Sequence, residues 1–226
     1  MPLLGSAAML LSFDVDADAI EEHDRWHTHE HLPERLSIPG FRRGTRWVAV
    51  AGAPRYMVLY EVASLETLAS KEYLERLNNP TPWTARVMPH YRGMTRGLCS
   101  VVGSLGLGLG GAAALVRFAA AEPMAASLRG WLLHDVLPTL AQLPGLGSAH
   151  LLRGAQAAAM TNEQRMRGAD RGIDSALILT GYDETAVAAC AQDLCASAGL
   201  PGRGASQISS AIYRWSYSLA SAEIDA

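Results

Sequence analysis

The sequence is short of charge: Asp, Glu, Lys and Arg make up 18% of its 226 residues, the net charge is −3, and like charges nowhere gather into a block. That excludes the basic patches that grip phosphate backbones or anionic lipid surfaces, so neither a nucleic-acid nor a membrane partner is expected. Aromatic rings are scarce too, at 7%. Cys99, Cys190 and Cys195 are odd in number and lack C-x-x-C spacing, which argues against a disulfide framework or a zinc knot and fits a reducing cytoplasm. Cys99 sits in a strand pattern and reads as core. There is no P-loop, G-x-S-x-G elbow or EF-hand loop. Gly106-x-Gly108-x-x-Gly111 has the letters of a dinucleotide fingerprint, but it opens a strand where the fingerprint must open a helix. The apolar start, Met1 to Phe13, has no Lys or Arg and runs into acidic residues, so it reads as a buried strand and not as a secretory signal. The uncharged run from Gly97 to Val116 has the length of a bilayer span, yet Gly103-Ser104 breaks it into strand, glycine linker and strand.

What the chain does have is a 49% apolar content, enough for a real core, and an internal repeat. At a constant offset of 105 residues, Ala7, Ala8, Leu10, Phe13, Trp26, His29, Leu32, Pro33, Pro39 and Gly40 return as Ala112, Ala113, Leu115, Phe118, Trp131, His134, Leu137, Pro138, Pro144 and Gly145. Each copy opens with a short strand, then a helical stretch ending near Leu-Pro, then a Pro-Gly turn. Strands at 47–50 and 56–62, a helix at 65–77 and a strand at 95–102 continue the first copy. Strands at 149–152 and 175–179, a helix at 184–196 and a strand at 208–219 continue the second, with a polar insertion from Thr161 to Asp170. The order βαββαβ is the split ferredoxin-like unit. The expected fold class is α+β: two tandem ferredoxin-like repeats, 1–104 and 105–226, packed sheet to sheet as a pseudo-dimeric α/β barrel in one chain. Exposed strand edges would leave room for a homodimer.

Four of the seven histidines fall in Glu22-His23-Asp24-Arg25-Trp26-His27-Thr28-His29-Glu30-His31-Leu32-Pro33-Glu34-Arg35. At helical spacing His23, His27 and His31 share a face, with Glu30 and Glu34 beside it. Three readings compete. The face can be solvated, which is where His23 is expected to belong. It can chelate a divalent metal through His27 and His31, since His27-x-x-Glu30-His31 has the letters of the inverted zincin motif, although Pro33 should end or kink the helix two residues later. Or one histidine, oriented by a carboxylate, can move protons at a pocket.

Trp26 ahead of His31-x-Pro33, with Pro39-Gly40 behind, resembles the signature of EthD-like and methylmuconolactone-isomerase-like members of the dimeric alpha/beta barrel superfamily, chiefly over residues 5–62. The resemblance implies that His31 is an acid–base residue and that the chain is a catabolic enzyme of the isomerase or lyase type. It also implies a small apolar or aromatic-derived substrate and no organic cofactor. The superfamily also holds cofactor-free monooxygenases, polyketide cyclases and haem enzymes, so a divalent metal or haem on His27 and His31 stays as a second reading and a passive small-molecule pocket as a third. Glu30 is expected to orient the His31 imidazole or share its proton. His27, Arg43, Trp47, Tyr60 and Trp83 are the expected substrate contacts, with Arg46, Asn78, Asn79 and His90 near them and Trp83 on a non-helical lid; Arg35, Arg43 and Arg46 can each bind a carboxylate, although an arginine on a helix end or strand is more often simply solvated. His31, His27 and Glu30 become Val136, Leu132 and Asp135 in the second copy. The site is therefore expected in the first half, with the second as scaffold.

Overall fold

The computed structural model describes residues 3–155 and 160–224. The chain runs through β1 (Ala7–Val15), α1 (Ile20–Trp26), a π-helical turn (His27–His31), α2 (Leu32–Leu36), β2 (Phe41–Ala51), β3 (Tyr56–Val62), α3 (Lys71–Asn78), α4 (Pro82–Val87) and β4 (Tyr91–Gly106). It continues through β5 (Ala112–Ala120), α5 (Met124–Trp131), a second π-helical turn (Leu132–Val136), α6 (Leu137–Leu140), β6 (Leu146–Gly154), α7 (Asn162–Arg167), β7 (Ser175–Gly181), α8 (Glu184–Cys195) and β8 (Ala205–Ala220).

Apart from Ser12 and Asp14 in β1 and Arg117 in β5, these two strands are apolar because both of their faces are buried. Ala8 and Leu10 point to one side of β1, and Ala7, Met9, Leu11 and Phe13 to the other; Ala113 and Leu115 divide from Ala112, Ala114, Val116 and Phe118 in the same way along β5. The inner set, joined by Trp47, Met57, Leu59, Ile178 and Tyr213, fills the interior of a closed antiparallel barrel in the order β1-β3-β2-β8-β5-β7-β6-β4. The outer sets meet the helices, giving an α+β architecture with the barrel inside and the helices outside. Each half contributes four contiguous strands in one order, β4-β1-β3-β2 and β8-β5-β7-β6, and the halves join at β2–β8 and β4–β6. Closure pairs every edge of this sheet, so the free strand edges expected to support a homodimer are absent from it.

Three local expectations change. Pro33 does not end the first helix, which continues to Leu36. A proline ring clashes with the carbonyl four residues back, and the π-helical turn just before it widens the backbone there; the same turn precedes Pro138. The helix expected over 65–77 is divided into a 3-10 turn, Leu65–Ala69, and α3 from Lys71, where Ser70 Oγ accepts from Tyr73 N at 3.2 Å. The expected non-helical lid carrying Trp83 is instead helix α4, capped by Thr81 Oγ1 accepting from Thr84 N at 3.0 Å and opened by Pro82, whose missing N–H costs nothing there. Among the described residues no helix is long and apolar enough to cross a membrane.

Leu10 and Leu115 occupy matching places in the barrel interior. Leu10→Ala and Leu115→Ala should each cost about 3 kcal/mol, read by urea denaturation. Because the two halves share that interior, both variants should still unfold in a single transition.

Candidate functional site

The inward face of α1 and the π-helical turn carries His23, His27 and His31, all buried. Burial of His23 corrects its expected place on a solvated surface: Phe13, Tyr56 and Tyr91 surround its ring, with the Tyr56 ring centre 4.5 Å away. The three imidazoles form a row with ring centres 5.6 and 5.7 Å apart, and the Trp26 ring lies 4.3 Å from that of His31. Asp24 anchors the outer end of the row. Its Oδ1 is 3.1 Å from His23 Nδ1 and accepts from Tyr56 Oη at 2.9 Å. In the middle, the Tyr60 hydroxyl lies 3.4 Å from His27 Nε2. Arg46 clamps this helical face to β2, donating to Asp24 O at 3.3 Å and Thr28 Oγ1 at 3.2 Å.

His23 Nε2, His27 Nδ1 and His31 Nδ1 are buried without a hydrogen-bond partner. Burial, which disfavours the charged ring, is the first reason that His31 and His27 are held well below the ordinary imidazole pKa; Arg35 adds to it at His31, and His23 and Arg46 at His27. His23 is lowered by burial as well, against the pull of Asp24. At neutral pH the row is uncharged, and its members can accept protons but hold few to give.

Several expected contacts lie elsewhere. Glu30 does not touch His31; its Oε1 accepts from Trp26 Nε1 at 3.1 Å and Thr81 Oγ1 at 2.5 Å, tying the π-helical turn to α4. The carboxylate beside His31 is that of Glu34, 4.0 Å from Nδ1. Trp47 and Arg43 face the barrel instead of the histidines, because the β2–β3 register shifts between Phe41 and Arg43 and inverts the alternation beyond it. Arg43 pairs there with buried Glu61 at 2.6 Å. Trp83 donates to Glu22 Oε1 at 2.6 Å on the outer side of α1. His90 pairs with Asp16, Asn79 bonds back to Glu75, and Asn78 holds α7. His27 and Tyr60 do lie beside His31's row. Sequence reasoning missed Tyr56 and Tyr91, whose only signal was alternation along strands, and the pairing of Arg35 with Glu163, which had none.

The second half repeats this geometry without the histidines. Leu128, Leu132 and Val136 stand at the repeat positions of the three histidines, all buried. Beside Leu128 and Leu132, under Phe118, lies an open cavity of about 280 Å³.

The residues present do not fit haem or a chelated metal. The second-half cavity is lined by no His, Cys, Met or Tyr that could serve as an axial ligand. The histidine row is packed against aromatic rings, and Glu34 is engaged by Arg35 at 3.1 Å. Among the described residues, three ligand atoms converge only at Asp16, Asp18 and His90, away from the row, where Arg92 already reaches Asp16 at 2.5 Å.

No family model and no curated protein matches the sequence. Solved structures match over nearly its whole length. An anthrone oxidase-like protein is 13% identical, with 98% of this chain and 96% of that one covered and a TM-score of 0.63. A candidate monooxygenase from Fusobacterium nucleatum is 9% identical, with 96% of each chain covered and a TM-score of 0.59. A variant of the chlorite dismutase from Candidatus Nitrospira defluvii is 11% identical, with 98% of this chain and 96% of that one covered and a TM-score of 0.57. At such identities the likeness is one of fold, and these neighbours are proteins of the dimeric alpha/beta barrel type.

Proposed function

We propose that the chain is a small-molecule enzyme of the isomerase or lyase type, formed of two tandem ferredoxin-like repeats, in which the neutral imidazole of His31 transfers a proton without an organic cofactor. Residues 1–104 carry the site and 105–226 act as its scaffold. The observation that supports this reading is the fully buried, unpartnered Nδ1 of His31. A buried polar atom left unpaired costs about 1–3 kcal/mol, and the second half avoids that cost with Val136 at the same place. Three imidazoles kept in one half against that cost are best explained by chemistry.

A neutral imidazole can accept a proton from carbon beside a carbonyl. Returning it to a second carbon completes an isomerisation, and losing a leaving group from the neighbouring carbon completes an elimination. The guanidiniums of Arg35 and Arg167 disfavour a standing imidazolium at His31 and favour negative charge developing on the substrate. His27 and Tyr60 line the substrate beside His31. Glu30 keeps the Trp26 ring in place, and Trp26 holds the plane of His31.

The test is exchange of substrate C–H protons with deuterated water, followed by NMR over a panel of aryl- and alkyl-substituted lactones and oxo acids. His31→Gln should lower exchange by roughly 10²–10⁴-fold with little change in Tm, whereas Glu30→Gln should lower Tm and keep exchange. Undiminished exchange in His31→Gln refutes the assignment.

Stability should follow the same imidazoles. Their folded-state pKa values lie below the unfolded value of 6.5, so below that pH the unfolded chain binds more protons than the folded one. Stability is then full above pH 6.5 and is lost as the pH falls through the window beneath it. A triple variant, His23→Leu with His27→Leu and His31→Val, copies the second half and should flatten the dependence of Tm on pH between 7 and 5.

A further inference from the structure

The polar insertion singled out in the sequence has no equivalent in the first half, where residues 52–55 join β2 to β3; residues 155–174 join β6 to β7. Its helix α7 belongs by sequence to the second half but packs across onto α3 and onto the turn before β4. Asn162 donates to Asn78 through its backbone N–H at 3.2 Å and through Nδ2 at 2.7 Å. Gln164 and Arg167 both donate to Asp170, which holds the insertion in shape.

The innermost contact is an ion pair between Arg35 and Glu163, 1% and 2% exposed. Arg35 stands one turn beyond His31, and its charge and that of Arg167 both act on that imidazole. Arg35 already has a carboxylate from its own helix, Glu34 Oε2 at 3.1 Å. Glu163 is thus a second carboxylate on one guanidinium, delivered from the other half of the chain. A guanidinium fork has donors for two carboxylates and suits planar, bidentate recognition of each. The repeat position of Arg35 is Leu140, and the matching connection of the first half, residues 52–55 between β2 and β3, carries no such insertion. The cover and the arginine occur together, over the half that holds the histidines.

We propose that the place beside His31 now filled by the Glu163 carboxylate takes, when α7 is displaced, a small molecule bearing a carboxylate that Arg35 binds, and that Glu163 holds that place when α7 is closed. Ligand entry exchanges one carboxylate for another as α7 lifts, and Arg35 keeps Glu34 throughout, so no bare buried cation is formed. This deepens the reading of the chamber as a ligand site and is independent of whether His31 moves a proton.

Benzoate is the probe, with benzyl alcohol as its uncharged control, and binding is read by calorimetry and by tryptophan fluorescence. Removing the resident carboxylate raises the fraction of binding-competent protein, so Glu163→Gln should bind benzoate about tenfold tighter than the wild type, while benzyl alcohol binds both equally. Equal or weaker benzoate binding by Glu163→Gln overturns the exchange. Should that variant not fold, Asp170→Asn releases Arg167 and leaves the Arg35–Glu163 pair intact; its benzoate affinity should also rise, and an unchanged affinity overturns the proposal. Failure of proton transfer at His31 and failure of the carboxylate exchange are therefore read on different variants and in different assays.

Discussion

Each half of the chain makes a sheet with two apolar faces, and the helices of that half can cover only one of them. The inner face, with Leu10 and Leu59 from one half and Leu115 and Ile178 from the other, stays dry only because the two sheets close on each other. Closure at β2–β8 and β4–β6 also gives the edge strands partners, so the barrel is a rigid support for whatever packs outside it. Gly44 shows how closely the site helix rests on that support. A Cβ there would lie 2.4 Å from Leu32 Cδ2, so the absence of a side chain lets the end of the histidine helix sit directly on β2.

On this shared frame the two outer helix faces differ. Both keep the π-helical turn before a Leu-Pro pair, so that turn belongs to the fold and is not a mark of chemistry in itself. The side chains it presents decide the difference. One half offers leucine and valine beside an open cavity, and the other three neutral imidazoles with tyrosines around them. Packing alone favours the apolar solution, since unpartnered ring nitrogens cost stability wherever they are buried.

The halves also depend on each other chemically. Glu163 and Arg167 come from the second half and set the electrostatics of the first, next to His31 and Arg35. A chamber assembled in this way exists only when the whole chain has folded, which ties the site to the closure of the barrel.

Much of the architecture follows from local patterns that a sequence carries openly. The constant offset between the copies, the two-sided apolar strands and the helical spacing of His23, His27 and His31 depend on neighbouring residues, and they specify strand order, helix face and the half that holds the histidines. Other features needed partners distant in sequence. Trp47 faces the barrel because of one register shift in β2; Glu30 turns from His31 to Thr81 because α4 forms where the Pro-rich segment suggested a loop; His23 is buried because Phe13, Tyr56 and Tyr91 close around it. Arg35 reads as an ordinary solvated arginine until Glu163, brought over by the insertion, covers it. The sequence by itself determined the strands, the repeat and the titratable face, since these follow from backbone periodicity. Only the tertiary structure decided which carboxylate meets which cation and which nitrogen is left unpaired, because burial and charge pairing are set by what the rest of the chain brings alongside.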